Sequence, residues 1–162
     1  MTIKPAMHAN VVTAAPASET DERLAAQICR GVQRLLRDAN VATLAEMPLA
    51  NGRRADIMAV GIHGDIHIVE IKSSIADFRA DRKWQEYRDY CDALSFAVAA
   101  DFPQDILPED TGLILADGYG GHWVRPAPIH RLSAARRKAV LLAFARVGAM
   151  RLHGLHDPSR NL

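Results

Sequence analysis

Residues 53–72 read RRADIMAVGIHGDIHIVEIK, two apolar stretches separated by the turn-forming residues 61–64. The pattern predicts antiparallel strands over 53–60 and 65–72, because a short glycine-containing segment between apolar runs is typical of a hairpin. The second strand is apolar on both faces until its C-terminal end, as expected for a strand that is covered on both sides. We therefore expect this hairpin to be central in a sheet.

Three charged side chains lie at one end of the predicted hairpin: Asp56, Glu70 and Lys72. Glu70 and Lys72 share one face of their strand, because side chains two residues apart point the same way. Pairing across the turn places Asp56 beside residues 68–70 of the neighbouring strand. We therefore expect two carboxylates and one ammonium group to converge.

Charged groups in an otherwise apolar hairpin carry a desolvation cost unless they pair, bind a metal or reach water. The carboxylates of Asp56 and Glu70 suit a hard divalent cation such as Mg²⁺ or Mn²⁺, and the backbone carbonyl of Ile71 offers a third oxygen. Such a metal activates water and neutralises phosphoryl charge, and Lys72 could orient that water. This chemistry indicates phosphodiester hydrolysis. A structural ion pair of Lys72 with Glu70 or Asp56 is the alternative.

The flanking sequence predicts an α/β fold with a mixed sheet. Helical periodicity covers 20–38, with Thr20 as N-cap, and 75–92, where Ser74 and Asp77 form a capping pair. Further predicted elements are strands over 41–49 and 94–99, a second hairpin of 112–116 with 122–125, and a helix over 133–152. The order is α-β-β-β-α-β followed by β-β-α, and the strand–helix–strand passage predicts a parallel pair.

The order of elements and the Asp…Glu-x-Lys pattern resemble the PD-(D/E)XK nuclease superfamily, whose core is restriction-endonuclease-like. More closely, the sequence is similar to the MmcB family of DNA repair proteins. The similar runs are RRADIMAV at 53–60, VEIKSSIADFRADRKW at 69–84, YCDALSFAV at 90–98 and RRKA at 136–139. This resemblance covers residues 20–153, most of the chain.

The resemblance implies roles for the charged residues of the hairpin. It makes Asp56 and Glu70 metal ligands and Lys72 the catalytic lysine. Ala55 stands where the name of the superfamily has proline, a position whose side chain does not contact the metal.

Two further features of the superfamily have candidate matches. Many relatives supply an additional acid, for which Glu22 on the first helix and Glu46 on the first strand are the candidates. Some relatives carry Gln-x-x-x-Tyr on the helix after the motif, and Lys83 with Tyr87 matches that spacing. Residues four apart share a helix face, so Lys83 could contact a DNA phosphate.

Length and composition predict one globular domain. The chain has 162 residues, 49% of them hydrophobic, and a net charge of +1. We expect a leader over 1–18, a domain over 19–155 and a tail over 156–162. No apolar run has the roughly 18 residues of a membrane span. Cys29 and Cys91 lack a metal-ligand spacing, which favours free thiols and a cytoplasmic location.

The sequence thus predicts a Mg²⁺- or Mn²⁺-dependent nuclease that acts on DNA in repair, with a homodimer as a possible state because symmetric pairs cut both strands most simply. A non-catalytic DNA-binding or adaptor protein is the alternative. Residues 122–162 favour it, because they carry eight Lys and Arg and one acidic residue. A third reading is a structural ion pair in a protein with an unrelated small-molecule role.

Overall fold

The computed structural model describes residues 18–158, which form one six-stranded mixed sheet flanked by helices. The strands, adjacent in chain order across the sheet, are β1 Ala42–Pro48, β2 Arg54–Val60, β3 Ile66–Ile71, β4 Ala93–Val98, β5 Gly112–Ala116 and β6 Gly121–Arg125. The helices are α1 Glu19–Asp38, α2 Ile75–Ala80 and α3 Ala134–His156, with 3₁₀ helices at Trp84–Tyr90 and Gln104–Ile106.

The pairing of the strands confirms the predicted α/β fold and its α-β-β-β-α-β core. β1, β2 and β3 form an antiparallel meander, β3 and β4 are parallel, and β5 and β6 form a second hairpin. β4 and β5 are also parallel, so the second hairpin extends the same sheet. The central position expected for β3 is therefore confirmed.

α1 covers one face of the sheet. Its apolar residues Ile28, Val32 and Leu36 are buried against a set of sheet residues that includes Ile57, Val69, Ala97 and Ile114. The prediction of Thr20 as N-cap is wrong, because the helix begins at Glu19. The hydroxyl of Ser18 accepts a hydrogen bond from the N–H of Asp21 at 3.1 Å and so caps the first turn.

Gly31 lets α1 approach the turn between β5 and β6. A Cβ atom at this position would lie 2.1 Å from the carbonyl oxygen of Asp117 and 2.4 Å from that of Gly120. The guanidinium of Arg34 donates to the carbonyls of Gly118 and Tyr119 in the same turn. A glycine in the helix interior is therefore required by this close contact.

The predicted single helix over 75–92 is wrong. α2 ends at Ala80, and the chain resumes as the 3₁₀ helix Trp84–Tyr90. Trp84, Tyr87 and Tyr90 are the buried residues of that segment, and their spacing of three matches the three residues per turn of a 3₁₀ helix. These aromatic side chains pack with α3 on the face of the sheet opposite α1.

α3 begins at Ala134, one residue after the predicted start, and it extends beyond residue 152 to His156. The hydroxyl of Ser133 caps its first turn. No helix within residues 18–158 has the length and apolar character needed to cross a membrane. The predicted leader over 1–18, apart from Ser18, and residues 159–162 of the predicted tail lie outside the described residues.

Candidate active site

Asp56 and Glu70 face each other across the β2–β3 pair. The register pairs Ile57 with Val69, which places Asp56 opposite Glu70 as predicted. The N–H of Asp56 donates to Glu70 Oε1 at 3.2 Å, and the N–H of Ile71 donates to Asp56 Oδ2 at 2.7 Å. The two carboxylates are thus fixed by the backbone of each other's strand.

Burial makes the ionised form of both carboxyl groups less favourable. Glu70 is only 3% exposed. Burial raises the pKa of Asp56 to about 6, an effect that the hydrogen bond from Ile71 and the charge of Lys72 reduce. Burial, followed by the nearby charge of Asp56, raises the pKa of Glu70 well above its usual value. The pair therefore favours a bound proton or a bound cation.

Lys72 follows β3 directly and is only 4% exposed. Its Nζ donates to Asp81 Oδ2 at 2.7 Å and lies 4.0 Å from Asp77 Oδ1. Burial alone would lower the pKa of Lys72, but the hydrogen bond to Asp81 and the charges of Asp81, Asp77 and Glu70 raise it. Lys72 is therefore a buried ammonium group.

These residues line an open cleft of about 1090 Å³. One wall comes from α1, including Asp21, Glu22 and Arg30, and another comes from α2 and the residues after it. The Arg30 side chain is exposed and makes no hydrogen bond or ion pair with residues 18–158. The cleft therefore combines an acidic interior with an available arginine.

Both candidates for an additional acid line this cleft. Glu22 is exposed on the first turn of α1. Glu46 forms an ion pair with Arg54, and its charge is among those that raise the pKa of Asp56. The backbone of Glu46 is left-handed, with φ 53°, and Arg151 of α3 donates to its carbonyl. Of the two acids, Glu46 is the one whose charge acts on Asp56.

Lys83 and Tyr87 do not share a helix face, contrary to the prediction. Lys83 is exposed at the start of the 3₁₀ helix, where residues four apart point in different directions. Tyr87 is buried, lines the cleft and donates its hydroxyl hydrogen to the carbonyl of Arg54 at 3.1 Å. The spacing therefore brings Tyr87 to the cleft but not Lys83.

Asp81 and Arg30 are cleft residues that the sequence reasoning missed. The sequence assigns Asp77 only to helix capping. In the structure its Oδ2 accepts a hydrogen bond from the N–H of Ser73 at 3.3 Å. The available signal for Asp81 was its position four residues after Asp77, because that spacing places two carboxylates on one side of a helix.

The donor set fits Mg²⁺ or Mn²⁺. Residues 18–158 contain no group of three or more His, Cys, Asp and Glu side chains arranged to hold a metal. A metal here would therefore take two carboxylates and the Ile71 carbonyl from the protein, and water for its other positions. Mg²⁺ usually binds through one or two carboxylates and keeps several waters. Asp56 Oδ1 and Glu70 Oε2, which accept no hydrogen bond from residues 18–158, suit that role.

Comparisons with known proteins give one family and one similar solved structure. A family model described as "DNA repair protein MmcB-like" matches residues 12–159. The solved structure of a protein of unknown function from Silicibacter pomeroyi is 42% identical, with a TM-score of 0.83. The match covers 85% of this chain and 94% of that protein. No curated protein matches the chain.

Proposed function

The chain belongs to the MmcB-like family of DNA repair proteins, and we propose that it is a metal-dependent nuclease that hydrolyses phosphodiester bonds in DNA. The observation that carries the proposal is the pair of a buried Glu70 and a partly buried Asp56 on an open cleft, with the ammonium group of Lys72 nearby. Two carboxylates kept at this electrostatic cost, and open to solvent on one side, are suited to a cation that also contacts a substrate.

Asp56, Glu70 and the carbonyl of Ile71 would hold the metal, Mg²⁺ or Mn²⁺. When bound, such an ion supplies charge neutralisation at the phosphoryl oxygens and a lower pKa for water. The resemblance of these positions to the Asp…Glu-x-Lys motif of the PD-(D/E)XK nuclease superfamily supports the same assignment.

Lys72 acts as a cation in this proposal. Its contacts with Asp81 and Asp77 raise its pKa, so it carries a proton at neutral pH. An ammonium group cannot take a proton from the attacking water. It can orient that water by donating a hydrogen bond to it, and it can offset negative charge on the phosphate. The proton of the water must then pass to a carboxylate or to solvent.

Arg30 supports DNA as the substrate. Phosphate contacts from arginine position a nucleic acid without reading its sequence. Arg30 lines the cleft and is unpaired within residues 18–158, so it is available to a phosphate beside the scissile bond. An acidic cleft without such cations would repel DNA.

A cleavage panel tests the proposal. Labelled duplex, single-stranded and branched DNAs are incubated in Mg²⁺ or Mn²⁺ with wild type, Asp56→Asn and Lys72→Met. The controls, Asp101→Asn and Lys138→Met, make the same chemical changes at exposed positions outside the cleft. We expect scission by wild type and both controls, and a loss of at least about 100-fold in the two cleft variants.

The other outcomes of the panel are equally informative. Equal scission by all five proteins would identify a contaminating nuclease and contradict the proposal. Absence of scission with retained DNA binding would indicate the alternative, a non-catalytic DNA-binding or adaptor protein.

A further inference from the structure

Asp81 is the acidic residue that the Lys72 ammonium group contacts. Glu70 lies two residues from Lys72, and its charge acts on that ammonium group, as does the charge of Asp77. Lys72 Nζ nevertheless donates its hydrogen bond to Asp81 Oδ2 at 2.7 Å, and Asp77 Oδ1 lies 4.0 Å from the same Nζ. The ammonium group is therefore bound on the α2 side of the cleft rather than on the Asp56–Glu70 pair.

Asp81 is itself held in place for this contact. Its Oδ1 accepts from the N–H of Lys83 at 3.1 Å, and its side chain is only 19% exposed, compared with 44% for Asp77. α2 contributes no fully buried residue, and Phe78 is its partly buried contact with the core. The position of Asp81 is therefore set by polar contacts, with Lys72 as the buried partner.

A lysine ammonium group and a divalent cation compete for the same carboxylates. If Lys72 paired with Glu70 or Asp56, a metal would have to displace it and leave a buried ammonium group without a partner, which is costly. An ammonium group that already has a partner imposes no such cost.

We propose that Asp81 is a positioning residue that holds the Lys72 ammonium group away from Asp56 and Glu70, so that this pair stays open to a divalent cation. The inference rests on the proposed function, because it takes the Asp56–Glu70 pair as the metal site. It assigns to Asp81 a role that acts through Lys72, with no contact between Asp81 and the metal.

A double-mutant cycle with Mn²⁺ as the titrant tests this role without an activity assay. Asp81→Asn keeps the size of the side chain and an acceptor for the N–H of Lys83, but weakens the hold on Lys72. We expect the Kd for Mn²⁺ to rise at least about tenfold in Asp81→Asn. In a Lys72→Met background the same substitution should raise the Kd much less, because only the direct effect of the Asp81 charge on Glu70 is then lost. Asp77→Asn, which removes the more distant charge, should have a smaller effect.

Three results would overturn the inference. Equal Mn²⁺ affinity in wild type and Asp81→Asn would show that Asp81 does not control the site. An equal loss in both Lys72 backgrounds would make Asp81 a metal ligand or a purely structural residue. If Asp81→Asn fails to fold, Asp81→Glu is measured instead. This variant retains the negative charge and should retain the Mn²⁺ affinity of wild type. A tenfold loss of affinity in it would contradict the role.

The failure of this inference is distinguishable from the failure of the proposed function. Wild type that binds Mn²⁺ and shows the expected cycle, but cuts no DNA, would overturn the nuclease and leave the role of Asp81 standing. If wild type cuts DNA and Asp81→Asn leaves the Mn²⁺ affinity unchanged, the role of Asp81 is overturned and the nuclease stands. Absence of Mn²⁺ binding by wild type would overturn both.

Discussion

The Asp56–Glu70 pair is held in a state that costs folding free energy. Glu70 is buried and Asp56 is partly buried, and the charge of Asp56 raises the cost of charging Glu70. The hydrogen bonds from the backbone fix their positions but do not restore their usual pKa values. A pair of this kind is expected at a site selected for binding a cation rather than for stability.

We expect Asp56→Asn to stabilise the metal-free protein at pH 8. The amide oxygen of asparagine can still accept from the N–H of Ile71, but the buried negative charge is removed. The gain in the free energy of unfolding should be on the order of 1–3 kcal/mol. Urea unfolding in EDTA measures it, with Asp101→Asn, an exposed carboxylate, as the matched control.

The same substitution should change the pH dependence of stability. The folded pKa of Asp56, about 6, lies above its ordinary value of 3.8, so the folded state takes up a proton between these values. Asp56 should therefore add stability to wild type as the pH falls from about 6 to about 4, so the advantage of Asp56→Asn over wild type should shrink across this range. An Asp56→Asn variant that is less stable than wild type at pH 8 would contradict this picture.

Strand periodicity was sufficient to predict the central residues of the site. Alternation puts Glu70 and Lys72 on one face, and the hairpin register adds Asp56, because both depend on local geometry. Asp81 was beyond this reasoning, since its contact with Lys72 requires the chain to leave the helix at that residue. The sequence does not decide between Glu22 and Glu46, because their positions depend on how α1 and β1 meet the cleft.

Asp92, directly before β4, joins β3 to α3. Its Oδ2 accepts from the N–H of Ile66 at the start of β3, and its Oδ1 accepts from the N–H of Leu132 before α3. Both oxygens also accept from the guanidinium of Arg137 on α3, at 2.6 Å. One buried carboxylate thus fixes α3 against the sheet.

We expect Asp92→Ala to lower the free energy of unfolding by about 3 kcal/mol or more, because it leaves buried N–H groups and a guanidinium without their acceptor. Asp110→Ala, which removes the partner of Arg88 at the surface, is the control and should cost less than about 1 kcal/mol. Chemical denaturation of both variants measures the difference. Equal effects would contradict the assigned role of Asp92.

The pH dependence of Asp92 has the opposite sign to that of Asp56. Burial alone would raise the pKa of Asp92, but the hydrogen bonds from Arg137, Ile66 and Leu132 outweigh it and lower the pKa to about 2. Its stabilising contribution is therefore complete above about pH 4 and is lost as the pH falls towards 2. Asp92→Ala should remove this acid-sensitive part of the stability.

The helix over 75–92 shows why the elements were only partly predictable. Trp84, Tyr87 and Cys91 recur at three- and four-residue spacings, which suit an α-helix. At the break after Ala80, the Asp81 side chain bonds Lys72 at the end of β3 and accepts from the N–H of Lys83 in a local turn. Propensity and periodicity do not contain the contact with Lys72, so the break in the helix was not predictable from them.

The arrangement of the whole sheet explains the position of the cleft. The meander β1–β2–β3 and the parallel strand β4 place the end of the β2–β3 pair between α1 on one face and the chain after β3 on the other. The order of elements made the parallel β3–β4 pair predictable through the crossover rule. The parallel β4–β5 pair was not predictable, because the intervening acidic loop gives no sign of where the second hairpin docks.

The position of the metal within this cleft can be observed by anomalous X-ray scattering from crystals of wild type and Asp56→Asn grown with Mn²⁺. We expect an anomalous peak in wild type within coordination distance of Asp56, Glu70 and the Ile71 carbonyl, and no peak there in the variant. A wild-type peak that is absent from these residues, or that persists unchanged in Asp56→Asn, would contradict the assignment of this carboxylate pair as a divalent-metal site.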